Sequence, residues 1–239
     1  MAGKFQTFAA LHRPGDPLIL YNVWDAGSAK AVAGAGAPAL ATGSASVAAA
    51  HGFADAESLP LELALANAER VVGAVDIPVT VDFEGAYSAD PARAAANVAR
   101  LQATGAIGCN LEDQVIGGEG LHPTPAQAAR IRAIRDAVGA DFFVNARTDV
   151  FLKASRDTHD GAMVDAALER GRAYAGAGAS GFFVPGLADL ALLERLCAGS
   201  PLPVNFMAFP GAPDNRAVAA TGVARISYGP FPYRAAMKA

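Results

Sequence analysis

The chain has 239 residues, 52 % of them hydrophobic, and its 23 acidic and 19 basic side chains leave a formal net charge of −4. No basic stripe offers a nucleic-acid interface, no apolar run is long enough to cross a bilayer, and Met1-Ala-Gly-Lys-Phe-Gln-Thr7 lacks the apolar core of a signal peptide. Cys109 and Cys197 are too far apart in sequence to suggest a disulfide framework or a zinc site, so a soluble cytoplasmic protein is expected.

Short apolar strands alternate with amphipathic helices along the chain. Residues 18–25 read as a first strand and 26–36 as a helix of small residues. Residues 39–44 read as a second strand, which runs into a polar loop carrying His51 and Asp55. Helical spacing over 61–75 leads to Val79-Thr-Val-Asp-Phe-Glu-Gly85, an apolar strand ending in two carboxylates. Residues two apart on a strand share a face, so Asp82 and Glu84 are expected to project together. Asp90-Pro91 reads as an N-cap followed by Pro at the first helical position, with the helix running to about 105. Residues 108–114 form the fourth strand, 115–123 a glycine-rich loop, and 124–138 a helix that Thr124-Pro125 begins. Then come strand 142–149, helix 161–177, strand 181–185, helix 189–198, strand 203–208, helix 215–221 and strand 224–228. A last helix begins at Tyr233 and is short or incomplete at Ala239.

Eight strands, each followed by a helix or the start of one, predict an α/β protein. They point to one (β/α)8 TIM-barrel domain over 1–239. An open doubly wound sheet would give the same alternation, but no glycine-rich nucleotide loop follows the first strand. In a barrel the chemistry sits at the C-terminal strand ends, and the polar residues collect there. Asp25 and Trp24 end strand one, Ser44 strand two, Asp82 and Glu84 strand three, and Glu112 strand four. Asn145, Arg147 and Asp149 end strand five, Asn205 lies on strand seven, and Arg225 and Ser227 on strand eight. Cys109 has the opposite parity to Asn110 and Glu112 and is expected to face the helices.

Three acids at one mouth are hard to explain without a cation, and hard divalent ions take oxygen ligands. Arg147 is suited to a carboxylate. The plainer alternatives are acids that merely point into water, or an internal salt-bridge cluster of Arg147 with Glu112. The combination predicts a small dianionic acid chelated to Mg²⁺, whose enolate the metal stabilises. Trp24, Phe83, Phe206, Phe209 and Tyr228 are expected to form the pocket wall.

Asn22-Val-Trp-Asp-Ala26, Thr42-Gly-Ser-Ala-Ser46, His51-Gly-Phe-Ala-Asp55, Val81-Asp-Phe-Glu-Gly85, Leu111-Glu-Asp-Gln114 and Asn145-Ala-Arg-Thr-Asp149 stand in order along the chain. In order and spacing they resemble the isocitrate lyase/phosphoenolpyruvate mutase superfamily over nearly the whole length. The resemblance implies a barrel that makes or breaks a C–C or P–C bond in a small 2-oxo or 2-hydroxy acid or dicarboxylate. It implies Mg²⁺, with Mn²⁺ as a substitute, held largely through waters by Asp82, Glu84, Glu112 and Asp55. Ser44 and Ala45 would receive substrate oxygens at their backbone N–H groups, with Trp24 and Asn205 also at the substrate, and Arg147 would clamp it. The second metal acid is more often Asp in the lyase and mutase branches than the Glu84 found here.

The lyases carry a Lys-Arg/Lys-Cys-Gly-His gating loop whose Cys donates a proton. Here the loop reads Val115-Ile-Gly-Gly-Glu-Gly-Leu-His-Pro123, with neither Cys nor Lys. Glycines suit a mobile lid, and Glu119 or His122 is the candidate replacement acid. An oxaloacetate decarboxylase or related hydrolase would ask less of the lid. A weakly catalytic 2-oxo acid binding protein is the reading from another class. A Schiff-base aldolase is disfavoured, because Lys153 lies beyond strand five. The family's eighth helix often packs onto a neighbouring subunit, so a homo-oligomer, dimer or tetramer, is expected.

Overall fold

The computed structural model describes residues 3–239. Its helices and strands run α1 Lys4–Ala10, β1 Leu18–Leu20, β2 Asn22–Val23, α2 Ala26–Gly34, β3 Leu40–Thr42, α3 Ser44–Ala50, α4 Leu61–Gly73, β4 Val79–Asp82, α5 Pro91–Ala103 and β5 Gly108–Glu112. They continue α6 Thr124–Val138, β6 Phe143–Arg147, α7 Gly161–Gly176, β7 Gly181–Phe183, α8 Leu190–Gly199, β8 Val204–Met207, α9 Asn215–Ala220, β9 Arg225–Ser227 and α10 Phe231–Ala236.

All strand pairs are parallel, in the order β1-β9-β8-β7-β6-β5-β4-β3-β2. β1 and β2 are two halves of one strand interrupted at Tyr21. The two ends of the sheet therefore meet in one segment, and the sheet closes as a (β/α)8 barrel. Asn22 stitches this seam. Its Nδ2 donates to the Thr42 carbonyl (2.9 Å) and its Oδ1 accepts from the Tyr228 amide (2.8 Å).

Helix starts are written in aspartates. Asp25, Asp90, Asp160, Asp189 and Asp214 each accept a first-turn amide, and Pro91 takes the first helical position of α5. The outward strand residues, such as Cys109, Leu111, Val144, Ala146, Phe182, Phe206 and Ile226, are buried against the helices. The inward set is different. Leu18, Leu20, Ala39, Ala41 and Phe143 fill the lower barrel, and α1 closes that end with Phe8. His12 stacks on the Phe143 ring at 4.7 Å from Phe8 and 4.4 Å from Phe143.

Above them lies a polar belt. Asn145 Nδ2 donates to Asn110 Oδ1 (2.8 Å) and Asn205 Oδ1 (3.1 Å), and Asn110 Nδ2 donates to Asp82 Oδ1 (3.0 Å). Asn205 Nδ2 donates to Ser227 Oγ at 3.2 Å and to the Arg225 carbonyl at 3.3 Å. Arg225 is 1 % exposed, yet none of its guanidinium nitrogens has a protein partner; Thr80 Oγ1, Asn145 Oδ1 and His12 Nε2 share that state.

The structure differs from the sequence expectations in four places. The segment after strand two is helix α3, not a loop, because Ser44-Ala-Ser-Val-Ala-Ala-Ala50 has no breaker until His51-Gly52. Strand three stops at Asp82, and Glu84 lies in a turn with φ 50°. The alternation that pairs Asp82 with Glu84 therefore does not apply. α1 was not anticipated. The last helix is short, as expected, but begins at Phe231 rather than Tyr233 and runs to Ala236.

Candidate active site

The site is built at the C-terminal strand ends. Asp82 is the best-held acid: its Oδ2 accepts from Ser44 N (3.1 Å) and Ser44 Oγ (2.9 Å), its Oδ1 from Asn110. Glu84 reaches the same region by a different route. Its backbone is left-handed, its carbonyl accepts the Glu112 amide at 2.9 Å, and its carboxylate accepts the Glu57 amide. Ala86 and Tyr87 (φ 58° and 57°) and, opposite, Ala56 and Glu57 (φ 65° and 57°) are left-handed too. The two loops that hold Glu84 thus concentrate backbone strain at one acid.

Glu112 is buried and pairs with Arg147 NH1 at 2.7 Å. Arg147 also holds Asp149 in a fork, Nε to Oδ1 at 2.6 Å and NH2 to Oδ2 at 2.8 Å. Of five guanidinium N–H groups, three are committed, and one each on NH1 and NH2 remain. Burial raises the Glu84 pKa, and the charges of Asp55, Asp82 and Glu112 add to it, reaching about 9. Burial likewise pushes Glu112 up against the pull of Arg147. Burial opposes the Arg147 charge, but Glu112 and Asp149 outweigh it and raise its pKa.

Repulsion among four carboxylates is what a divalent cation relieves, and carboxylate oxygens are the donors that Mg²⁺ takes. Among the described residues no three His, Cys, Asp or Glu side chains close directly around one metal-sized point. The donor set fits an ion that keeps much of its water shell, as Mg²⁺ does.

A cavity of about 210 Å³ opens beside Asp82. Ser44, Ala45, Asp55, Asp82 and Arg147 line it, as expected of them, together with Asn110 and Ser227. Glu84 and Glu112 do not line it: Glu84 lines a small cavity that also has Ser44 and Asp82 in its lining, and Glu112 pairs with Arg147. Trp24 is outside: it packs beside Val47 and Leu59, edge-on to Tyr233 at 5.2 Å, and supports α3 and α10. Asn205 is buried beneath the cavity, spent on the belt. Glu119 is exposed at the tip of the 115–120 turn, which the Gln114–Leu121 bridge closes. His122 lies in a separate cavity of about 170 Å³ with Glu57 and Arg130.

The expected wall is also replaced. Phe83 and Phe206 face the helices, because Asp82, Asn205 and Met207 take the inward parity. Phe209 stacks with Arg156, and Tyr228 packs against Tyr21. Leu152, Phe183, Pro185, Met207 and Pro230 form the wall, with Arg234 also lining the cavity. Phe183 and Met207 were readable from parity, being in register with Arg147 and Ser227. Arg234 carried no such signal, since it stands on a helix beyond the last strand.

A closed (β/α)8 barrel with acids and an arginine grouped at its C-terminal mouth defines a barrel of the enzyme-bearing type. The phosphoenolpyruvate phosphomutase family model matches residues 8–239, and the chain belongs to that family, within the phosphoenolpyruvate mutase/isocitrate lyase superfamily. It is 35 % identical over 236 residues to an uncharacterized protein of Mycobacterium tuberculosis, covering 98 % of this chain and 85 % of that one. It is 31 % identical to the oxaloacetate decarboxylase of Ectopseudomonas mendocina over 72 % of this chain and 59 % of the relative. Among solved structures, a Burkholderia cenocepacia J2315 protein provisionally described as a phosphonomutase is 54 % identical, with TM-score 0.96, covering 98 % and 94 % of the two chains. Lyases and mutases both occur among the relatives and solved neighbours. Among the described residues no helix is long and apolar enough to cross a membrane.

Proposed function

We propose that the protein is a Mg²⁺-dependent enzyme that makes or breaks a C–C or P–C bond in a small 2-oxo or 2-hydroxy acid. The observation that carries this is the cavity itself: Asp82 and Asp55 line it beside Arg147, Glu112 pairs with that arginine, and Glu84 is close enough to feel the charges of Asp55, Asp82 and Glu112. Mg²⁺ held by Asp82, Glu84, Glu112 and Asp55, with Mn²⁺ as a substitute, would act as a Lewis acid toward negative charge developing on a substrate oxygen. Arg147 would orient a substrate carboxylate with its two uncommitted N–H groups, since Glu112 and Asp149 fix its plane. Ser44 holds Asp82 with both its amide and its hydroxyl, so its N–H is spent there rather than on a substrate oxygen, and Ala45 lines the cavity beside it. The apolar wall excludes water from the reacting end.

Neither Glu119 nor His122 lines the cavity. That favours, as a second reading within the first, decarboxylation of a 2-oxo dicarboxylate such as oxaloacetate, where CO₂ leaves without a proton from the loop. The oxaloacetate decarboxylase among the relatives supports it.

The test is proton NMR of the protein with oxaloacetate, isocitrate, 2-methylisocitrate and phosphonopyruvate, each with Mg²⁺ and with chelator. Mg²⁺-dependent loss of one substrate is the expected result, with Asp82→Ala abolishing it. Mg²⁺-dependent oxalate binding with no turnover would make the protein a 2-oxo acid binder. Absence of both would overturn the reading.

A further inference from the structure

Arg147 and Arg234 are the cations lining the cavity, and they are not equivalent. Arg147 is locked by Glu112 and Asp149. Arg234, on α10, has no carboxylate within ion-pair distance among the described residues, and its guanidinium rests only over the Phe231 ring, 5.5 Å from the centroid. Round the barrel, β7 and β8 separate β6, which bears Arg147, from β9, which leads to α10. Those strands contribute Phe183 and Met207 to the wall, and Pro185 and Leu152 add to it. A ligand passing from one arginine to the other therefore meets apolar surface midway, where a charge would find no partner. A cavity of about 210 Å³ is smaller than the pockets of roughly 300 Å³ and upward that hold drug-sized ligands.

We propose that Arg234 binds the second, distal carboxylate of the substrate and so selects small dicarboxylates over monocarboxylates of the same head. This deepens the proposed function and rests on it. A guanidinium edge offers two parallel N–H groups, which match the two oxygens of a carboxylate. A phosphonate's third oxygen and second charge would ask for a further cation, and among the described residues no other cation lines the cavity. Arg234 has no strand-parity signal in the sequence, because it stands on α10, beyond the last strand.

The test uses four probes in Mg²⁺ by titration calorimetry. Oxalate reports the Mg²⁺-dependent head site, and malate and lactate differ by the distal carboxylate. Phosphonopyruvate carries a phosphonate there. Wild type is expected to prefer malate over lactate. Arg234→Gln should erase that preference, weakening malate tenfold or more while oxalate and lactate stay within twofold, and Arg234→Lys should restore part of it. Arg234 is exposed and unpaired, so the variants are expected to fold; unchanged circular dichroism confirms this. Normal oxalate binding with an unchanged malate-to-lactate ratio in Arg234→Gln would overturn the inference and leave the proposed function standing. A stronger Arg234 dependence for phosphonopyruvate than for malate would overturn the carboxylate assignment. Wild type failing to bind oxalate would remove both.

Discussion

Arg147 lines the cavity and also holds its surroundings together. Its fork satisfies Asp149, which is fully buried, and its NH1 satisfies Glu112. Lysine offers a point charge and cannot span both acids. Arg147→Lys is expected to lower stability by about 3 kcal/mol, the cost of breaking a buried pair, seen as a lower urea midpoint. Loss of ligand affinity with an unchanged midpoint would show that the acids find other partners. His12 carries a second residue-scale consequence. Burial, then the charge of Arg225, lowers its pKa from 6.5 to about 3, while the Phe8 carbonyl works the other way. Below pH 6.5 the unfolded chain takes up a proton that the folded chain refuses until about pH 3. Stability from this group is therefore full above pH 6.5 and falls as pH drops through that window, by a few kcal/mol at most. The melting temperature of His12→Leu should depend less on pH across it than that of wild type.

The elements show where sequence reading succeeded and where it stopped. Helix starts were legible, because an Asp before the first turn, with or without Pro, is a local signal. Asp90 and Thr124-Pro125 fall where expected. Ser44, Asp55, Asp82 and Arg147 were legible as residues converging on one mouth. Parity failed at Glu84, because period-two reasoning holds only while the strand continues, and β4 ends two residues earlier. What brings Glu84 back is turn geometry, and left-handed Glu, Ala and Tyr leave no mark of the kind glycine does. Trp24 and the aromatic wall failed for a related reason: large apolar residues at strand ends face either side, and only register decides. The strain predicts its own relief. Ala56 is exposed and left-handed at φ 65°, so Ala56→Gly should raise stability by about 1 kcal/mol, read as a higher urea midpoint. An equal or lower midpoint would show that the loop is not held against its preference.

At the scale of the whole molecule, eight βα units announced the barrel, but the helix beneath it was silent. α1 is too short for its spacing to register, and Phe8 takes meaning only against Leu18, Leu20 and Phe143. Phe8→Ala should cost about 3–5 kcal/mol, detected in chemical denaturation; a loss below 1 kcal/mol would mean that α1 does not seal the end.

That seal leaves polar groups enclosed above it. The guanidinium nitrogens of Arg225, Thr80 Oγ1, Asn145 Oδ1 in the belt and His12 Nε2 at the plug are buried without protein partners. A buried guanidinium without partners would be too costly to keep, so hydration must satisfy it. Such water would exchange past the belt and through the cavity at the mouth. Occupying the site should therefore act as a stopper, lengthening the residence time of interior water in magnetic relaxation dispersion. The candidate site would then set the breathing rate of the barrel's interior.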